Sequence, residues 1–412
     1  MFQLTQLLRP HILTLMPYSS ARDEYTGTEG VFLDANENSV GSTAPDGDFS
    51  RYPDPHQWAI KQRLAPIKGV RPEQIFLGNG SDEPIDLLVR ATCTPGRYAG
   101  AVDSPGVDSP GVDSPGVDSP GVDSPGVDSP GVDSILIMPP TYGMYEVSAT
   151  INDVTVIKVP LTPDFQVDLP AVLAAIGETT KLIWLCSPNN PSGNRLRTDD
   201  IRTILEAADH SLVIVDEAYS DFSDAPSWTN ELGNYLNLVV LQTFSKAWGL
   251  AGLRLGMCFA SEELIRVMNK IKPPYNISAP TQALALEALD HEAHKKEMVR
   301  EILSERQTLA DNLRTLPAVL TIHPSDANFL LVQFADADRT FTHLIAHQVI
   351  VRDRSKVTGC AGCLRITVGT RAENERLLDV LRGMGESTAL TPNDLPPGTS
   401  ESATKPELVS NA

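Results

Sequence analysis

Lys246 sits in "LQTFSKAWGLAGLRLG" (residues 241–256), directly behind Ser245 and eight residues before Arg254, in a stretch otherwise rich in Gly, Ala, Leu and Trp. It follows an apolar, strand-like run. An ammonium taken out of water without a partner is costly and tends to lose its proton. A neutral lysine amine is what Schiff-base chemistry requires. For an isolated Ser-Lys pair the plain alternative is a surface lysine after a strand, so its companions decide.

Upstream, "VIVDEAYSDF" ends an apolar run on Asp216, with Tyr219 three residues later. Asp216 could cap a helix. Beside a pyridinium, its carboxylate would instead pair the ring nitrogen and turn the ring into an electron sink, with Tyr219 donating to a phenolic oxygen on the same ring. "SPNNPSG" presents Asn190 before Pro191, either an ordinary turn or a second donor to that oxygen. "LGNGSDEPIDLLVR" reads as strand, Gly-rich turn and a helix starting near Ser81, with Pro84 in its first turn. Free N–H groups at such a helix start bind phosphate, and Ser245 and Arg254 would complete the cup. Asp82 and Glu83 also suit ordinary capping. Tyr142 in "PPTYGMY" could stack on an aromatic ring or simply pack.

The elements that must position these residues follow from the pattern. From about residue 30, short apolar runs alternate with amphipathic stretches: "VFLDANEN", "IFLGNGSDE", "ILIMPPTYG", "TVIKVPL", "KLIWLCSPNN", "SLVIVDEAY", "NLVVLQTFSK" and "GMCFAS". Several are apolar on successive positions, as parallel strands buried on both faces are. The fold class is therefore α/β. The chemically able residues recur just past strand C-termini, where open α/β sheets bind ligands. A long helical pattern over residues 279–316 leads to a smaller α+β unit containing "ANFLLVQF", "VIVRDR" and "CLRITVG".

Composition narrows the function. The 412 residues carry a formal charge of −20, from 33 basic and 53 acidic side chains, which disfavours nucleic acid and anionic membrane surfaces as partners. No apolar run is long enough to span a bilayer. Five cysteines spread along the chain, with no apolar leader, predict a reducing cytoplasm. "CAGC" at 360–363 has redox spacing without a partner pair, and "HEAH" at 291–294 lies on a charged helix, so no metal site is expected. "VDSPG" repeats six times from Val102 to Gly131, a period that holds neither helix nor packed strand and predicts an irregular surface loop. The tail beyond residue 385 is expected to be disordered.

Together "SPNNPSG", "VDEAY" and "SKAWGLAGLRLG" resemble the fold-type I, pyridoxal-phosphate-dependent aminotransferases in order and spacing. Within them the chain is similar to the histidinol-phosphate aminotransferase branch, through "MPYSSAR", "LDANEN", "RYPDP", "GNGSDE", "PPTYGMY" and "CLRITVGT". The likeness spans about residues 10 to 385, except the repeat.

The resemblance implies a large domain over 31–275, with a mostly parallel seven-stranded sheet flanked by helices. It implies a small α+β domain over 276–385, an arm over 1–30 packing with that small domain, and residues 98–132 as an insertion. Lys246 would hold the cofactor and move the proton, Asp216 would pair the pyridine nitrogen, and Asn190 and Tyr219 the ring oxygen. Tyr142 would stack, while Gly80, Ser81, Asp82, Ser245 and Arg254 would surround the phosphate. Tyr52 would reach the other subunit's cofactor phosphate in a homodimer. Arg365, assisted by Arg352 and Tyr18, would bind substrate phosphate or glutamate carboxylate, and Asn36 would line the substrate pocket. The implied reaction moves the amino group between L-histidinol phosphate and 2-oxoglutarate, giving L-glutamate. An aromatic aminotransferase or a threonine-phosphate decarboxylase-like enzyme is the rival. A non-catalytic regulator or a repeat-organised scaffold is the other class of reading.

Overall fold

The computed structural model describes residues 2–18, 31–44, 49–96 and 132–384. The VDSPG repeat and the tail lie outside them. The chain divides into two compact units, Met1–Asn190 with Arg195–Lys295, and Pro191–Asn194 with Lys296–Ala412.

The first unit is built on a seven-stranded sheet. Its strands are β1 (Ile75–Asn79), β2 (Ser134–Ile137), β3 (Thr155–Lys158), β4 (Thr180–Cys186), β5 (Leu212–Asp216), β6 (Leu238–Thr243) and β7 (Leu255–Phe259). Their order is β1-β7-β6-β5-β4-β2-β3. β7 pairs antiparallel with both neighbours, whereas the pairs from β6 to β3 are parallel. The other six strands therefore share one direction, and their C-terminal ends form one edge. Because β7 runs the other way, the residue before it, Arg254, arrives at that same edge.

Alternate side chains of each central strand enter two apolar cores. Val213 and Val215 of β5, Ile183 and Leu185 of β4 and Val240 of β6 join one core. Leu212 and Ile214, Leu182, Trp184 and Cys186, and Leu241 join the other. Burial on both faces is what the continuous apolar runs encode.

Three expectations need correcting in this unit. "VFLDANEN" forms no strand: Asn36 is left-handed at φ +56°, which an extended run cannot pass, and Val31 and Leu33 are 88% and 80% exposed. The arm, expected beside the small domain, packs over its described residues 2–18 within this unit. Leu4, Leu7 and Leu8 join the second core, the Arg9 guanidinium donates to the Arg90 carbonyl, and the Lys270 ammonium donates to the carbonyls of Ile12 and Leu13. The pattern over 279–316 is two helices, Ala279–Leu289 and Glu292–Arg314, and the unit boundary falls at Lys295/Lys296. Ala285 and Leu289 are core residues of the first unit, which carries the division past residue 275.

The described residues on either side of the repeat, Gly96 and Val132, lie next to each other. A Cβ on Gly96 would touch Val132 Cγ1 at 3.4 Å, and the Thr94 N–H donates to Asp133 Oδ2 at 2.7 Å. Both flanking residues lie at the entry to β2, away from the edge that gathers strand C-termini.

The second unit holds an antiparallel sheet ordered β10-β11-β9-β8, from β8 (Val319–Ile322), β9 (Phe329–Phe334), β10 (Arg352–Asp353) and β11 (Cys363–Thr367). Its core takes Leu330, Val332, Leu364 and Ile366 from the strands, with Leu377, Leu378 and Leu381 from the helix Arg371–Gly383.

Candidate active site

The β1 turn is shaped by close approach. Gly80 adopts φ +72°, its N–H donates to the Arg254 carbonyl at 2.6 Å, and a Cβ there would lie 2.7 Å from Arg254 Nη2. A Cβ on Gly256 would collide with the Gly80 carbonyl carbon and the Ser81 nitrogen. Gly256 is therefore required by contact with backbone, and Gly80 by its left-handed φ. The helix Asp82–Thr92 starts from this turn, and Ser81 at its N-cap makes no side-chain cap. Its first N–H groups thus lack a side-chain cap from Ser81, beside Arg254, which is left-handed at φ +51° and reaches the Asp82 carboxylate.

The adjacent acids have different tasks. Glu83 turns back, accepting from the Asn79 N–H at 2.5 Å and Asn276 Nδ2 at 3.0 Å, and so anchors the strand end. Asp82 accepts from the Tyr142 hydroxyl at 2.9 Å and Arg254 Nη2 at 3.3 Å. Burial, then Asp82, pushes the Tyr142 phenol above its ordinary range.

Asp216 closes β5 and is buried. Its Oδ2 accepts from the Tyr145 hydroxyl at 2.5 Å and its Oδ1 from the Ala218 N–H at 3.0 Å. Burial raises its pKa; the bond from Tyr145, the Ala218 N–H and the Lys246 charge oppose that rise. Lys246 lies three residues beyond β6, with its Nζ 5.5 Å from the centroid of the Tyr219 ring. It is solvent-exposed, so the expectation of a lysine buried at a strand end is corrected: after Phe244 the chain has left the sheet. The two loops share a brace, since the Lys295 ammonium bonds Asp221 at 2.5 Å and lies over the Trp248 ring at 5.2 Å. Ser245 donates its N–H to Thr243 Oγ1. Asn190 follows β4 after the cis peptide Ser187–Pro188, and its N–H bonds the Cys186 sulfur.

The edge thus gathers Gly80, Ser81, Asp82, Tyr142, Asp216, Tyr219, Ser245, Lys246 and Arg254, with Asn190 beside them at the end of β4. The described contacts of three further candidates are with other residues. Tyr18 lines a cavity of about 300 Å³ with His56, Arg266, Lys270 and Lys272. Tyr52 stacks on Tyr275 with ring centroids 4.4 Å apart, and Asn36 lies exposed in its loop. In the second unit Arg352 and Arg365 face each other across β10 and β11, and Arg365 lies 5.3 Å from the Phe329 ring centroid.

Sequence reasoning missed Tyr145 and Arg354. Tyr145 is fully buried and stacks on Trp184 at 4.7 Å; its only signal is a second tyrosine three residues after Tyr142. The Arg354 guanidinium has its pKa lowered by burial and then by the charges of Arg365 and Arg352. Its signal is the i, i+2 spacing from Arg352.

Residues 128–381 match the family described as aminotransferase class I and II. A histidinol-phosphate aminotransferase of Cytophaga hutchinsonii is 53% identical over 92% of this chain and 99% of its own length. The chain belongs to the class I and II aminotransferases. A second family member, the histidinol-phosphate aminotransferase of Parabacteroides distasonis, is 48% identical over 93% of this chain and 99% of its own. The family fold is shared with the crystal structure of histidinol-phosphate aminotransferase from Sinorhizobium meliloti in complex with pyridoxal-5'-phosphate. That likeness has a TM-score of 0.68 at 23% identity and covers 91% of this chain and 98% of that one. Among the described residues, no helix is long and apolar enough to cross a membrane.

Proposed function

We propose that this aminotransferase moves the amino group between L-histidinol phosphate and 2-oxoglutarate with pyridoxal phosphate as cofactor, the amino-transfer step of histidine biosynthesis. The observation that carries this is one sheet edge holding Lys246, Asp216 and the Gly80–Arg254 cradle, in a chain 53% identical to a relative of that name.

The residues present fit the cofactor. Only glycine is accommodated where Gly80 and Gly256 meet the helix start and Arg254, as a phosphate seated on backbone N–H groups requires. In this reading Gly80, Ser81 and Asp82 donate backbone N–H groups to that phosphate, Ser245 adds a hydroxyl and Arg254 the countercharge. The Asp82 carboxylate, an anion itself, serves by holding Tyr142 and Arg254. Tyr142 stacks on the ring, Asn190 and Tyr219 donate to its oxygen, and Asp216 keeps a proton on its nitrogen.

Bound pyridoxal phosphate supplies an electron sink for the pair left at the substrate carbon. Lys246 Nζ removes the proton from the amine-bearing carbon of the donor and returns one to the keto carbon of the acceptor. Its exposure leaves it room to swing between the two positions. Arg352 and Arg365 bind the donor's phosphate and, in the second half-reaction, a glutamate carboxylate. A guanidinium fork suits both anions. Tyr18 and Asn36 assist at the substrate.

A homodimer completes the reading, with Tyr52 serving the second copy's cofactor phosphate. Its support is the number of large apolar side chains exposed among the described residues up to 58, among them Met16, Val31, Leu33, Val40, Phe49, Tyr52 and Trp58, since exposed apolar surface marks interaction sites. A cytoplasmic setting accords with five cysteines that are all buried and unpaired.

The test is the absorbance of the purified protein with pyridoxal phosphate before and after L-histidinol phosphate, without acceptor. Conversion in a single turnover to the pyridoxamine spectrum is expected, and 2-oxoglutarate restores the first spectrum. A protein that binds the cofactor yet responds only to phenylalanine or tyrosine, or releases carbon dioxide from a phosphorylated amino acid, overturns the substrate assignment.

A further inference from the structure

The polar partner of Asp216 lies behind the site. Cys186 and Asp216 are register partners on β4 and β5, so their side chains share a face of the sheet with Trp184 and Ile214. On that face the Tyr145 ring is stacked on Trp184, with an interplanar angle of 13°, and set edge-on to Tyr142 at 5.5 Å. Two aromatic contacts thus leave its hydroxyl on one carboxylate oxygen, Asp216 Oδ2. Nothing in packing requires a hydroxyl here; phenylalanine would fill the same space. A buried phenol that donates to a buried carboxylate, with the Cys186 thiol as its other polar neighbour, has an electrostatic task, since in a low dielectric a bond to a charged group selects the charged form.

We propose that Tyr145 is a positioning residue for Asp216: its hydroxyl fixes Oδ2 and stabilises the carboxylate as the anion, so that the proton shared with the cofactor's ring nitrogen stays on nitrogen. This builds on the reading that Asp216 faces that nitrogen. With the hydroxyl removed, the proton moves from the ring nitrogen to Asp216, and both partners become neutral. The other titratable groups around the carboxylate do not replace the lost donor. The Cys186 thiol, kept protonated by burial, turns its weak S–H to the Pro188 carbonyl, Lys246 acts on Asp216 by charge alone, and Asp82 raises its proton affinity.

The experiment uses the full chain loaded with pyridoxal phosphate labelled with ¹⁵N in the ring, read by NMR. The wild type is expected at the protonated ring-nitrogen shift. Tyr145→Phe moves the signal toward the unprotonated position and raises the cofactor's dissociation constant about tenfold. Replacing Tyr145 by p-aminophenylalanine, matched in size but a weaker donor, gives an intermediate shift and keeps the test decisive if the Phe variant fails to fold. In an Asp216→Asn background, the effect of Tyr145→Phe on cofactor affinity vanishes, because a residue acting through Asp216 cannot act without it. An unprotonated nitrogen in the wild type overturns the underlying reading of Asp216. A protonated wild type with no change in either Tyr145 variant overturns the proposal alone. So does a Tyr145→Phe effect undiminished in the Asp216→Asn background, which would make the role one of packing.

Discussion

Two carboxylates follow one another at the end of β5, and they lead opposite lives. Both are buried, and burial raises the pKa of each. Glu217, on one face of the sheet, is held by three donors from the protein. Ser227 Oγ donates at 2.5 Å, Gln242 Nε2 at 2.8 Å and the Trp228 N–H at 2.8 Å. Asp216, on the other face, receives two donors. An ionised carboxylate has about four lone-pair sites, so Glu217 spends most of its capacity on the fold and Asp216 keeps half for something else. The same chemistry one residue apart separates a structural anion from a working one, and the alternation of a strand is what sends them to different places.

Substitutions can break that contrast, beginning with the residue that gives Asp216 its purpose. Lys246→Ala should abolish turnover, by roughly a millionfold in kcat, with the fold unchanged by circular dichroism; residual activity within tenfold would remove Lys246 from the chemistry. Asp216→Asn keeps the shape and removes the charge. It should lower kcat by about 10²–10³ while thermal stability holds or improves, because an anion that was costly to bury is gone. Glu217→Gln is the mirror experiment. It should cost about 1–3 kcal/mol of stability, seen in a denaturant midpoint, and leave kcat little changed; a large kcat loss would erase the distinction. Gly256→Ala tests the phosphate end, where overpacking should cost about 1–3 kcal/mol and weaken the cofactor, measured by calorimetry. Smallest is replacement of residues 98–131 by a short Gly-Ser turn. With Gly96 and Val132 already adjacent, the shorter closure should raise stability by about 1–2 kcal/mol without altering kcat or KM; lost activity would tie the repeat to the site.

The edge that carries Asp216 was legible because parallel strands buried on both faces write themselves as unbroken apolar runs, each ending in a polar or Gly/Pro turn. Tyr145 was not. A tyrosine on a helix after a strand has the pattern of packing, and its hydroxyl acquires meaning only when β5 lies alongside. Lys246 was legible in type but not in setting, because sequence does not say that the chain leaves the sheet at Phe244. The arm's leucines announce a buried face without naming what buries it. "VFLDANEN" has strand-like composition, yet one left-handed residue, Asn36, turns the chain. β8 escaped because two of its four residues face solvent and it has no continuous apolar run.

The meeting of Gly96 and Val132 has a hereditary consequence. Each five-residue unit of the repeat is gained or lost in whole codons, so a change in copy number keeps the reading frame. It adds or removes chain between two endpoints that touch in any case, far from the edge where selection for catalysis acts. Lineages carrying different numbers of units would share one enzyme, and repeat length would serve as a marker of ancestry rather than of activity.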